Sequence, residues 1–240
     1  LPVEDYLNSV VKNPSLRDII SQHFFKHTPT FFALSYFSLY LDYFYPIGGV
    51  GKLSEALRDK MMELGGEIKT NTTVKEVRPN ENTVIDQDNI SYKYKNLVWA
   101  ADLKTLYRIT QTTDLPTEIK SRFEEVKTNM LRNRGSESVF TLYLQIDEPV
   151  ESFGKIAKGH FFYTPSSKGL GETHRRELSA LLSRFATISK EEVYDWLDRF
   201  ISLNTFEISI PGLRDKKLVP PGKTGMIISF LAEHELFKKI

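Results

Sequence analysis

The spacing of apolar residues changes period several times along the chain. Asn13 before Pro14 reads as a cap with proline at the first helical position, and Leu16, Ile19, Ile20 and Phe24 follow at helical spacing. A helix is therefore predicted over 14–25. Leu53, Ala56, Leu57, Met61 and Leu64 form a second stripe, stopped by Gly65-Gly66. Short β-type runs come next, at 68–70, 74–77, 83–85, 90–94 and 97–100, with turn-rich segments at 79–82 and 86–89. Further on, Ile119, Phe123, Val126 and Met130 predict a helix and 139–146 a strand with an apolar centre. Residues 160–163 predict another strand. Pro165, Ser166, Ser167, Gly169 and Gly171 make 164–176 the expected mobile loop. Ser189 and Glu192 have the spacing of a capping box, opening a helix that carries Val193, Trp196, Leu197 and Phe200. Strands over 206–210 and 226–231 flank a Pro220-Pro221-Gly222 turn, and the last residues read as helix. This is an α+β pattern.

Aromatic residues crowd one segment. Phe31, Phe32, Tyr36, Phe37, Tyr40, Tyr43 and Phe44 fall on more than one face of a helix, so the segment is either buried core or the wall of something apolar. An apolar groove or uncovered surface built from Phe31, Phe32, Tyr36, Phe37 and Tyr40 is the functional expectation. Peripheral contact with a bilayer is its extension.

Composition narrows the function classes. With 32 basic and 31 acidic residues the chain has no charge excess for nucleic acid. The absence of cysteine removes disulfides, thiolate nucleophiles and cysteine-ligated metals. No basic-then-apolar leader follows Leu1, and the densest apolar stretch is shorter than the roughly 20 residues a bilayer span needs, so a cytoplasmic location is expected.

Four motifs recur in a telling order. They are Asn13-Pro14-Ser15-Leu16-Arg17, the opening Tyr45-Pro46-Ile47-Gly48-Gly49, the unit Gly65-Gly66…Thr72-Thr73-Val74…Ala100-Ala101-Asp102, and Asp215…Leu218-Val219-Pro220-Pro221-Gly222. The ordered set resembles the middle of FAD-dependent oxidoreductases of the phytoene desaturase and carotenoid isomerase type, within the amine oxidase superfamily. The resemblance implies a mixed-sheet substrate domain with helices plus a small helix-and-strand portion of an FAD domain. The implied division is 1–46 and 104–240 for the former and 47–103 for the latter. It also implies that Val74 and its neighbour Thr73 face the adenine of FAD, with Gly48, Gly49, Ala100 and Ala101 near the cofactor. The implied substrate is hydrophobic, of polyene type, and the chemistry is desaturation, saturation or isomerisation.

Departures from the pattern carry information too. The family's Gly-x-Gly-x-x-Gly pyrophosphate fingerprint is missing: Gly49-Val50-Gly51 has Ser54 in the third place. The chain is therefore expected to be a piece of a larger flavoenzyme. It should rely on a missing N-terminal FAD-binding segment and hold no FAD alone. His23 and His27 lie four apart but lack the further ligands of a metal site, and Glu233-His234-Glu235 reads as a solvated helix start. No metal is expected, and no catalytic residue can be placed by motif. An amine-oxidising relative and a non-enzymatic apolar-ligand or membrane-associating module are the competing classes.

Overall fold

The computed structural model describes residues 1–39, 44–133, 137–168 and 170–238, with the side chains of residues 171–175 excepted. The chain divides into two compact units, one formed by Leu1–Leu57 with Ser136–Ile240 and the other by Arg58–Gly135. Among the described residues no helix is long and apolar enough to cross a membrane.

The first unit begins with α1 (Val3–Val10), α2 (Pro14–Ser21) and α3 (Thr30–Leu39). Asn13 caps α2 by accepting the Leu16 N–H at 3.2 Å. Val3, Leu7, Phe24 and Ala33 bury one small core between these helices. A four-stranded sheet follows from the second segment: β4 (Ser138–Ile146), β5 (His160–Tyr163), β6 (Phe206–Ser209) and β7 (Thr224–Ala232), in the order β4-β7-β6-β5. The strands are those read from the sequence. The pairing is antiparallel throughout, whereas a mixed sheet was expected. The link from β6 to β7, residues 210–223, holds only short 3-10 turns and no crossover α-helix, and it returns the chain antiparallel beside β6.

Helices α7 (Val150–Gly154), α8 (Gly171–Ser183), α9 (Lys190–Leu203) and α10 (His234–Phe237) complete this unit. Ser189 and Glu192 form the reciprocal capping box, with bonds of 3.2 and 3.0 Å. Leu178, Leu181, Ile188, Val193, Trp196, Phe200 and Leu236 make the main core, with Phe230 of β7 packed against it. Trp196 and Phe200 stack with centroids 5.1 Å apart. The expected loop over 164–176 ends early, because α8 begins at Gly171. Its later residues Leu178 and Leu181 are buried, and that burial outweighs the glycine and serine content before them. The helix expected over 14–25 likewise stops at Ser21, and His23 and His27 lie beyond it. His27 has φ +62°, so the pair shares no helix face.

Helix α4 (Gly51–Glu63) ends in a full Schellman motif. Gly65 (φ +84°) donates to the Met62 carbonyl and Gly66 to Met61, each at 2.9 Å. The second unit contains β1 (Val74–Arg78), β2 (Thr83–Asp86) and β3 (Ser91–Lys93), an antiparallel meander in that order. Helices α5 (Leu103–Ile109) and α6 (Thr117–Arg132) follow, and α5 packs on β1. The unit thus runs on to Gly135, past the boundary of 103 read from the sequence. Runs 68–70 and 97–100 are not strands. A strand exists only as part of a ladder, and among the described residues neither run has one to join. Asp86 organises the β2–β3 turn, accepting the Tyr92 hydroxyl at 2.7 Å and the N–H groups of Asp88 and Ile90 at 2.9 Å. Burial pushes this carboxyl up, but those hydrogen bonds outweigh it and hold it below the usual range.

Candidate functional site

Consider first the glycine turn before α4. Gly48 and Gly49 both have positive φ, +87° and +91°, where an L side chain is strained. The Gly48 N–H donates to Asp215 Oδ2 at 2.9 Å, and the Gly49 N–H to the Pro46 carbonyl at 3.1 Å. Gly49 is buried beside Leu218. The Arg214 guanidinium lies 4.9 Å from the Tyr45 ring centroid, within cation–π range. Two motifs 160 and more residues apart in sequence are therefore one structural element. Asp215 also accepts the Lys217 N–H at 3.0 Å, and these two backbone bonds hold its carboxyl below the usual range. Because both glycine amides are occupied, the turn can offer a cofactor close approach but no free N–H.

The second unit contributes a strand edge. Thr73 accepts the Gln87 N–H at 2.9 Å through its carbonyl, and its own N–H is bonded to Gln87 Oε1. Backbone groups alternate sides along a strand, so the N–H and C=O of Val74 point away from β2. Register confirms this: Val74 is opposite Asp86, whose N–H turns the other way, to the Ile90 carbonyl at 3.1 Å. Farther along, the same edge of β1 is taken, since Val77 bridges Thr110 in parallel and its carbonyl accepts the Gln111 N–H at 2.8 Å. The opening is thus confined to the start of the strand. The start of the strand thus leaves one backbone donor and one acceptor side by side, a pair able to meet the polar edge of a planar heterocycle. Thr73 has only its exposed side chain left to give.

Ala100 and Ala101 are exposed and precede α5. Asp102 caps that helix, accepting both the N–H and the hydroxyl of Thr105 at 2.7 Å, which keeps its carboxyl below the usual range. Gly48, Gly49 and the aromatic helix belong to the first unit, and Thr73, Val74, Ala100 and Ala101 to the second.

On α3, Phe31, Phe32 and Phe37 are exposed, Phe31 to 74%. Tyr36 is half-buried, edge-on to Phe24 and Phe37 at 5.8 and 5.6 Å. Tyr40 lies outside the described residues. Phe24, rather than these rings, lines a cavity of about 460 Å³ in this unit.

A titratable cluster escaped the sequence reading. His160 Nε2 is 2.8 Å from Glu207 Oε1 across the β5–β6 ladder, and His23 packs edge-on to Phe162 with centroids 4.1 Å apart. Burial pushes the His23 imidazole below its ordinary value, with the Glu207 charge opposing. The His160 hydrogen bond holds the Glu207 carboxyl down. Alternation in the two strands could have shown His160 and Glu207 as candidates for one face. Nothing local points to His23. Among the described residues no group of three or more histidine or acidic side chains could hold a metal ion.

The chain is similar to the crystal structure of the PF1083 protein from Pyrococcus furiosus, with 13% identity and a TM-score of 0.59 over 100% of this chain and 51% of that one. It therefore spans about half the length of that protein, and at this identity the likeness is one of fold. Reduced UDP-galactopyranose mutase is a weaker match, 12% identical with a TM-score of 0.48 over 78% of this chain and 31% of the other. No curated protein matches significantly. The profile of the family described as flavin containing amine oxidoreductase matches residues 21–198. Since that match covers well over half of the 240 residues, the chain belongs to the flavin-containing amine oxidoreductase family.

Proposed function

We propose that the chain is most of the substrate domain, with an inserted part of the FAD domain (residues 47–103), of an FAD-dependent oxidoreductase. Its substrate would be an extended hydrophobic molecule of polyene type, changed by desaturation, saturation or isomerisation. The family match carries the flavin part of this reading, and the open edge at Val74 fits it. FAD, when bound, would supply the redox chemistry. The chain's own work is binding and placement. Val74 presents one donor and one acceptor, and the turn at Gly48-Gly49, fixed by Asp215, lets the backbone come close. The pyrophosphate would be held by a partner segment carrying the glycine fingerprint. The exposed rings of Phe31, Phe32 and Phe37 support an apolar substrate, since large apolar side chains left uncovered round one helix favour an apolar partner. The same surface would serve peripheral contact with a bilayer.

The family's description keeps one other substrate class in view, an amine. The deciding experiment uses the full protein with its flavin. An acyclic polyene in detergent and a primary amine are each added anaerobically, while flavin absorbance and the polyene's double bonds are followed. A change in polyene unsaturation or isomer composition supports the proposal. Flavin reduction by the amine alone would transfer the protein to the amine-oxidising class, and no response to either would remove both readings.

A further inference from the structure

The sheet of the first unit has two edges of opposite character. Strand β5, at one edge, is only four residues long, with Pro165 just beyond it. A very short strand bounded by proline is one way natural proteins blunt an open edge. Strand β4, at the other edge, carries no such device. It runs for nine residues, Ser138–Ile146, without a charge, a proline or a glycine, and it matches β7 residue for residue with no bulge. Among the described residues β7 is its sole partner.

Backbone groups alternate sides along a strand, so every second residue of β4 aims its N–H and C=O away from β7. The side chains beside that row are uncovered on both faces of the sheet. Val139 and Tyr143 project to one face and are 54% and 78% exposed, while Leu142 and Leu144 project to the other and are exposed too. In β7, which has a strand on each side, every residue is half-buried or buried. A row of outward-facing backbone groups with apolar side chains above and below it is the template for one more strand.

We propose that β4 is an interior strand of the full protein, its outer edge paired with an extended segment of the same polypeptide from outside these 240 residues. This rests on the part of the proposed function that makes the chain a piece of a longer protein. The chain spans about half the length of the PF1083 protein, whose fold it resembles, so a protein of that architecture has as much chain again from which to supply the strand. A segment of the same molecule acts at an effective concentration in the millimolar range, well above that of a second copy in dilute solution. Main-chain hydrogen bonds would hold the segment. It would be uncharged along β4 and apolar on both faces, to cover Val139 and Tyr143 on one and Leu142 and Leu144 on the other.

The test is residue-resolved hydrogen exchange of the full protein as purified, read separately for the even-numbered and odd-numbered amides of β4. One set faces β7 and is protected in any case. The other set should also exchange at least about 100-fold more slowly than an unstructured chain, at every protein concentration. Exchange of that set at the unstructured rate would overturn the proposal. So would protection that grows with protein concentration, which would give the edge to a second copy. Tyr143→benzoylphenylalanine then identifies the occupant. On irradiation it should cross-link, within one molecule, to a peptide outside residues 1–240. A link confined to residues 1–240, or one between molecules, would overturn the proposal. Flavin absorbance of the same sample keeps the two readings apart. A colourless protein with both sets protected would remove the flavin reading and leave this one standing, and a yellow protein with one set open would do the reverse.

Discussion

Gly49 shows how one residue can matter at two levels. It is buried at φ +91°, and a Cβ there would meet Leu218 at 3.5 Å, an ordinary contact. Gly49→Ala should therefore lose about 1–2 kcal/mol to left-handed backbone strain rather than to a clash, measured by urea denaturation. At Gly66 the same change would meet the Met61 carbonyl oxygen at 2.9 Å, so something must shift there. His23 gives a second prediction at this scale. Its folded-state value is lowered, so below about 6.5 the unfolded chain binds more protons. The stability that neutral His23 contributes should be present above that pH and lost as pH falls through the folded-state value. His23→Phe should flatten this part of the stability profile, while the loss from Glu207, whose carboxyl is also held down, stays at lower pH. Equal slopes in the two proteins between pH 5 and about 6.5 would count against the assignment.

At the scale of elements, local chemistry was legible where a single residue sets the backbone. The Asn13 cap, the Ser189–Glu192 box and the Gly65 stop all appear where the sequence places them. Elements that depend on distant partners were not legible. Helix α1 has only Val3 and Leu7 buried and no side-chain cap, too little pattern to read. Runs 68–70 and 97–100 have strand composition but no ladder. The site followed the same rule. Its motifs were visible singly, but the bond joining Gly48 to Asp215 is a tertiary fact, as is the contact of His160 with Glu207. Exposure then separates two amphipathic helices of similar appearance. On α4, Leu53 and Leu57 are 66% and 64% exposed, while on α9 Val193, Trp196 and Phe200 are buried. Leu57→Lys should change stability by less than about 0.5 kcal/mol, whereas Phe200→Ala should cost about 3–5 kcal/mol. Paired denaturation curves check this, and a large loss at Leu57 would show that the α4 stripe is packed.

For the whole molecule, the cofactor question can be put quantitatively. The Val74 edge offers two hydrogen bonds worth about 0.5–1.5 kcal/mol each, against the roughly 8 kcal/mol of micromolar affinity. The 240-residue chain by itself is thus expected to purify without flavin colour and to give no heat with FAD. Low-micromolar binding would show that a complete cofactor site is present.

The interrupted course of the first unit has a kinetic consequence. Its two segments flank an insert on the order of 80 residues, and joining the ends of a flexible loop that long costs about 4 kcal/mol before any contact rewards it. The insert is contiguous and its β1–β2–β3 meander pairs only neighbours, so it can form while the chain is still being made. Once formed it replaces a floppy loop by two fixed ends. Pulse-labelled hydrogen exchange during refolding should find the β1 and β2 amides protected before those of β4 and β7. A mutation that unfolds the meander should slow the appearance of the larger sheet, though it touches none of that sheet's residues.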